Sequence, residues 1–306
     1  MGNVKELKNR ITSVRNTRKI TNAMYLISSA KLRKAREELE KTRPYFENTE
    51  TEIRKIFLSA ARVDSEFFHW RPVETSGCLV ITADRGLAGA YNHNVLKAAE
   101  AEIAKRPGAV RLYVVGEYGR RYFKKHKTPY EGAFFYTAQD PTLRGAREIG
   151  MRLLEDYSAG YVDEIRVIYS DMENDVESVV RNVRLLPFTE DMMEDGFEED
   201  ELYREYRFEP SATVLLERML PSYVNGFIYG ALVDSFSAEQ NARMNAMSNA
   251  NRNAEELLGD LQIEYNRMRQ AAITQEITEV SAGAKAQRRK RKKKTADPAD
   301  STLVSL

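Results

Sequence analysis

The chain has 306 residues, with 47 Lys or Arg against 46 Asp or Glu and a net charge of +1. That length has room for one substantial core plus an extended arm, and the near-balanced charge excludes a global pull toward polyanions or lipid surfaces. The single cysteine, Cys78, excludes an intrachain disulfide and fits a reducing compartment, while no run approaches the length of a membrane span and the charged start lacks a secretory apolar block.

Residues 1–60 read as one helix. Apolar or small side chains recur at alternating steps of three and four, from Val4, Leu7, Ile11 and Val14 through Tyr25, Ser28, Leu32, Ala35 and Leu39 to Phe46, Ile53, Ile56 and Ala60. Arg18, Thr21, Thr42 and Thr49 fill the remaining positions of that register. A mean spacing of about 3.5 holds the stripe on one line only if the helix coils around a partner. At about 1.5 Å per residue the helix would extend roughly 85 Å. It is also basic: residues 1–43 carry twelve Lys or Arg against four Glu, a local excess of +8. Pro44 removes an amide donor and should bend or tighten the helix locally.

The texture changes over residues 75–189. Gly77–Ala83 holds a compact apolar strand around Leu79-Val80-Ile81-Thr82, and Cys78 within it reads as buried rather than reactive. Further on, Asn94–Lys105 is helical, Arg111–Gly116 extended, Glu117–Lys125 helical and Ala133–Tyr136 extended. Thr142–Tyr157 follows as a helix, then Glu164–Tyr169 and Ser178–Leu186 as strands. Such alternation predicts an open, Rossmann-like α/β sheet of about five mostly parallel strands flanked by helices. Residues 190–208 are an acidic excursion, with nine acids between 190 and 205, and are expected to stay solvated.

Residues 209–287 carry a second long helical pattern, with Met244, Met247, Ala254, Leu258, Leu261, Tyr265, Met268 and Ala272 at steps of three, four or seven. Two seams, one at each end of the chain, can zip together antiparallel. The fold expected is therefore α/β, with a long antiparallel coiled coil of the N- and C-terminal helices carrying the sheet domain. Gly226, Gly230 and Gly259 would let backbones approach, whereas Gln240 and Asn251 would fix register at some cost in stability. Pro221 should act on its helix as Pro44 does on the first. From Arg288 to Lys294 every residue is basic, and residues 288–306 read as a basic, disordered tail.

Little here points to chemistry. The loop Asp84-Arg85-Gly86-Leu87-Ala88-Gly89-Ala90 follows a strand and precedes a helix, where phosphate-binding loops sit, yet it matches neither G-x-G-x-x-G nor G-x-x-x-x-G-K-[ST] and reads as a tight turn. His69, His93 and His126 are scattered without metal-ligand spacing. No Ser, Cys or Asp occupies a nucleophile motif. No catalytic residue, metal or cofactor is expected.

Three blocks carry a resemblance. Ile11–Ala35 (ITSVRNTRKITNAMYLISSAKLRKA), Asp84–Asn92 (DRGLAGAYN) and Arg269–Val280 (RQAAITQEITEV) are similar, in that order, to the gamma-subunit family of the F-type ATP synthase. The likeness covers residues 1 to about 286, and its last block is the most specific. It implies the central rotor stalk of a bacterial enzyme, a non-catalytic subunit that couples proton-driven c-ring rotation to conformational change at the beta-subunit sites. The partners it implies are three alpha and three beta subunits, epsilon and the c ring, with no nucleic acid and membrane contact only through the complex. The location it implies is peripheral, on the cytoplasmic face of the inner membrane.

Carried over residue by residue, the resemblance sets Lys19, Ala23 and Met24 against moving beta loops, and Arg269, Gln270, Thr274 and Gln275 against a beta catch loop. Independently, Arg269 and Gln270 present donors, and the basic first helix favours acidic loops on a partner. Lys31, Arg33, Lys34 and Arg36 also fit a plain solvated helix face. Ala88 and Ala90 stand where the family commonly has a cysteine and a glycine, and the lone cysteine rules out the redox pair of chloroplast relatives. The basic tail extends past the usual helix end and is expected to be dispensable for assembly. Two rival readings are a nucleic-acid-binding coiled coil, suggested by the basic helix and tail, and an α/β sugar- or nucleotide-processing enzyme with coiled-coil arms.

Overall fold

The computed structural model describes residues 2–60, 63–106, 108–131, 134, 138–173, 177–189 and 208–294. In chain order its elements are α1 (Gly2–Ser59), β1 (Thr75–Ile81), α2 (Tyr91–Lys105), β2 (Ala109–Val115), α3 (Glu117–Lys125), α4 (Leu143–Ser158), β3 (Glu164–Met172), β4 (Ser178–Leu186) and α5 (Ala212–Lys294). Two compact units result, one of residues 1–22 with 249–306 and the other of residues 23–248.

The larger unit is built on a sheet of order β2-β1-β3-β4. β1 runs parallel to both β2 and β3, and β4 closes one edge antiparallel to β3. The central strand β1 is continuously apolar from Cys78 to Ile81 because both of its faces are covered, whereas the edge strand β4 carries Arg181, Asn182 and Arg184. Leu79, Ile81, Tyr113, Val115, Ile165 and Val167 face one side and meet Ile53 and Ile56 of α1, Ile149 and Leu153 of α4, and Leu216, Leu220, Val224 and Ile228 of α5. The alternate residues Cys78, Val80, Leu112, Val114 and Ile168 meet Val95, Leu96 and Ala99 of α2 and Phe123 of α3 on the other. A run of stacked or edge-on rings, Phe57–Phe68, Phe68–Phe188 and Phe188–Tyr223, ties the ends of α1 and β4 to α5.

Within this unit α1 and α5 lie side by side. A Cβ added at Gly226 would stand 2.1 Å from Phe46 Cδ1, so only glycine lets the ring lie across the helix backbone. Phe46 also meets Tyr229 at 6.1 Å between ring centroids. Pro44 and Pro221 both lie inside their helices, each on the exposed side.

The smaller unit is an antiparallel pair of helix segments. Leu7, Ile11 and Leu261 form its buried centre, with Val14, Leu258, Tyr265 and Met268 packed against them. Arg18 reaches Glu255 while Thr21, three residues on, reaches Asn251, four residues back, which fixes the antiparallel sense. Every register position from Val4 to Ala60 except Arg18 is buried or half-buried, and so is every seam position from Met244 to Ala272.

Several boundaries differ from the sequence reading. Four strands stand among the described residues instead of about five. The strand expected at Ala133–Tyr136 falls outside the described residues apart from Phe134. Just before it, Glu131 makes a single parallel bridge to the open edge of β2 at Tyr113, with Glu131 N donating to Leu112 O at 2.7 Å. α5 starts at Ala212 instead of Glu209 because Pro210 precedes it and Ser211 caps it, its hydroxyl accepting from Val214 N at 3.3 Å. The helix then runs through Lys294, so Arg288–Lys294 is helical and not disordered. Straight-chain Lys and Arg are good helix formers, and cations at a helix C-terminus complement its dipole. The acidic excursion at 190–208, except Phe208, and residues 295–306 lie outside the described residues.

Candidate partner interface

In the helical pair, the polar interruptions of the seam answer one another. The Thr21 hydroxyl donates to Asn251 Oδ1 across the interface, which pins register where an apolar seam would slide. Arg18 and Glu255 pair at 3.5 Å with side chains 44% and 71% exposed, so that pair adds little stability and is screened by salt. Lys19 is exposed on α1.

Arg269, Gln270, Thr274 and Gln275 are all exposed on α5. Their helical positions fan over about 240° of the circumference, a spread that suits surroundings wrapping the helix. Thr274 Oγ1 donates to Gln270 O at 2.9 Å, and Gln275 Nε2 donates to Glu279 Oε1 at 2.9 Å. Arg269 has no ion-pair partner among the described residues, leaving its guanidinium available to an acidic group.

The seam ends at Ala272, and every residue from Ile273 to Arg291 is exposed. Ile273, Ile277 and Val280 are 47%, 61% and 72% exposed on a helix with no partner at that level among the described residues. Ile20 and Ile263 are exposed as well. Apolar side chains so displayed mark a surface that another molecule covers. Sequence reading missed them because it counted only seam positions; their signal was apolar residues off the register of three and four.

In the sheet-bearing unit, Ala23 is exposed and Met24 half-buried. Met24 lines a cavity of about 450 Å³ with Ile27, Lys31, Arg85, Leu87, Phe236 and Gln240 among its walls. Leu26, Ile27 and Leu87 are more than half exposed around it. The loop after β1 is held in a fixed shape on this wall. Leu87 and Gly89 both take positive φ, 63° and 54°, a conformation glycine adopts freely and leucine only under constraint.

The constraints are visible. Asn92 Oδ1 accepts from Ala83 N at 3.0 Å, Asp84 Oδ1 accepts from Glu117 N at 2.8 Å, and Arg243 of α5 donates to Gly86 O at 3.2 Å and Arg85 O at 3.5 Å. Glu239, one turn back, holds Arg243 at 2.6 Å, and both are nearly buried. Burial raises the Glu239 pKa, the Arg243 charge opposing that rise and Asp84 adding to it. This latch was not read from the sequence, where only the spacing of Glu239 and Arg243, four apart, hinted at it.

Lys19 and the four C-terminal residues thus belong to the helical pair, and Ala23 and Met24 to the sheet-bearing unit. Among the described residues no group of three or more His, Cys, Asp or Glu is placed to hold a metal. Cys78 is fully buried, and burial pushes its thiol up to about 12, far from the reactive thiolate. No helix among the described residues is long and apolar enough to cross a membrane.

An antiparallel helical pair in one unit, an α/β sheet flanked by helices in the other, and apolar and polar side chains displayed on a helix end with no partner among the described residues define a scaffold-type chain that presents surfaces to others. The profile of the family described as ATP synthase matches residues 3–287. The ATP synthase gamma chain of Ruminiclostridium cellulolyticum is 40% identical over 289 residues, covering 93% of this chain and 98% of that one. The Acetobacterium woodii ATP synthase gamma chain, named sodium ion specific, is 36% identical over 298 residues, covering 93% and 98%. Among solved structures, a chain of the Euglena gracilis mitochondrial ATP synthase, in its OSCP/F1/c-ring part, superposes with a TM-score of 0.66 at 18% identity over 99% of both chains, a likeness of fold. The chain belongs to the ATP synthase family as a gamma chain, a non-catalytic subunit of that complex.

Proposed function

We propose that this chain is the rotary central stalk of its ATP synthase, turned by a proton-driven c ring and biasing the catalytic sites of the surrounding beta subunits by the face it presents to each. The observation that carries this is the end of α5, exposed on every side from Ile273 to Arg291. The exposed helix displays Ile273, Ile277 and Val280 beside Thr274 and Gln275, and so asks for an enclosing partner. A two-helix rod has no threefold symmetry, so three sites around it meet three different faces at any angle. Each site is then shifted toward a different state by its differential contacts with the rod. Bond chemistry stays in the beta subunits, and this chain supplies coupling.

The partners in this reading are three alpha and three beta subunits, epsilon and the c ring, with no nucleic acid. The chain sits on the cytoplasmic face of the bacterial inner membrane and touches the membrane only through the complex. The nucleic-acid alternative receives no support from the relatives. In this reading the contact residues are Lys19, Arg269, Gln270, Thr274 and Gln275 in the helical pair and Ala23 and Met24 in the sheet-bearing unit. Arg269 has its guanidinium available for an acidic loop, a charge-assisted pair of about 1 kcal/mol or more depending on burial.

The test is Arg269→Glu in a reconstituted complex. ATP hydrolysis and coupled proton pumping should both fall, because the reversed charge repels the loop that the arginine attracts. Unchanged hydrolysis and pumping would refute the contact assignment.

A further inference from the structure

The loop after β1 lacks the glycine spacing with which backbone amides cradle a phosphate, yet a cavity of about 790 Å³ opens beside it, outside the carboxyl ends of β1 and β2. Open α/β sheets take their ligands at that end, and the volume lies within the range of small-molecule sites. All of its lining residues belong to the sheet-bearing unit. The walls carry four cations, Arg85, Arg120, Arg121 and Lys125, against two carboxylates, Asp84 and Glu117.

Both acids are already engaged. Asp84 Oδ1 accepts from Glu117 N at 2.8 Å. Glu117 pairs with Arg121 at 2.8 Å and with Arg120 at 3.1 Å, and these hydrogen bonds hold its carboxyl below the usual range. Arg120, nearly buried, also donates to Phe134 O at 3.3 Å and so forms a fixed part of the wall. Arg85 and Lys125 are exposed, and neither has an ion-pair partner among the described residues. The first-turn amides of α3 are not the attraction, because Glu117, Tyr118 and Gly119 donate theirs to Asp84, Ala83 and Thr82. What the cavity offers an anion is side-chain charge, two cations in excess, brought together from the loop after β1 and from α3.

We propose that this cavity binds the di- or triphosphate group of a small molecule, with Arg85 and Lys125 as its principal donors beside Arg121. A lone carboxylate brings one charge and two acceptor atoms, too few for donors on both walls, whereas a diphosphate brings several charges and oxygens on every side. The Tyr118 ring, 41% exposed on the same wall, gives a nucleoside a face to lie on. This site goes beyond the stalk function and does not depend on it. A bound ligand bridges the two walls and fastens the loop after β1 to α3, so the amides of that loop should exchange more slowly.

The experiment titrates the full chain, in metal-free buffer, with inorganic pyrophosphate and with ADP by calorimetry. Both should bind, and Arg85→Gln combined with Lys125→Gln should weaken both by about tenfold or more. Without ligand the double variant should melt as wild type does, because both side chains are exposed. ADP binding more tightly than pyrophosphate, with the gain lost in Tyr118→Ala, supports the site and marks a nucleotide as its ligand; equal binding supports it and marks an inorganic one. In the whole complex, pyrophosphate should slow amide exchange at Leu87–Ala90 in wild type and leave it unchanged in the double variant. No heat with either probe, equal affinity in the double variant, or the same slowing by sodium chloride at matched ionic strength would overturn the site. Binding of an Asp- and Glu-rich peptide through Arg85 and Lys125, with pyrophosphate failing to compete, would overturn it in favour of an acidic protein surface.

Discussion

Asp234 shows how one side chain can set the pH response of the sheet-bearing unit. It lies on α5, and burial pushes its carboxyl up from 3.8 to about 7, the nearby Asp171 of β3 adding to the rise and Arg43 of α1 opposing it. Asp171 itself pairs with Arg181 at 3.0 Å. Because the folded pKa is raised, the fold favours the protonated form. Stability from this group is full below the unfolded value near 3.8 and is lost as pH rises through about 7. Asp234→Asn mimics the protonated acid. At about pH 8 the variant should melt at a higher temperature than wild type, and the difference should vanish toward pH 4. Equal melting temperatures at about pH 8 would show that Asp234 keeps its charge at no cost.

At the scale of elements, two polar couplings do the positioning. Arg243 and Glu239 tie the loop after β1 to α5 through the carbonyls of Arg85 and Gly86. Arg243→Ala should leave those carbonyls and the nearly buried Glu239 without the guanidinium, a loss of about 1.5–3 kcal/mol by the usual worth of a charged hydrogen bond. Amide exchange at Leu87–Ala90 should quicken while exchange in β1 stays slow; uniform slow exchange would place the loop's rigidity elsewhere. In the helical pair, Thr21→Ala strips Asn251 of its partner and should cost about 1–3 kcal/mol, whereas Thr21→Ala with Asn251→Leu should be nearly neutral. A denaturant-melt cycle of the two variants measures the coupling, and additive costs would mean that Thr21 and Asn251 do not act as a pair.

Across the whole molecule, legibility followed the way each part is buried. The seams were readable because burial repeats at 3.5 residues: positions as unlike as Leu7, Thr42 and Phe46 all turn inward. The strands were readable because double-sided burial leaves unbroken apolar runs such as Cys78–Ile81. Glu131's single bridge leaves no period to read. Nor does composition distinguish Leu261, which is buried, from Ile277, which is exposed; only the pairing of the helices shows that Ala272 is the last position covered. The seven proposed contact residues came from the resemblance, since Arg269 or Lys19 alone looks like any solvated cation. The latch at Arg243 escaped because a hydrophobic reading passes over a run of buried polar residues, here Ser235, Ser237, Glu239, Gln240, Asn241 and Arg243.

The sealed thiol of Cys78 makes this chain a clean host for site-directed labelling. With no other sulfhydryl in the sequence and this one enclosed between β1 and α2, a maleimide dye or a gold bead offered to the folded wild-type protein should find nothing to attach to. One cysteine introduced on an exposed turn would then carry the whole signal, so an optical record of turning could be made without first engineering the native residue away.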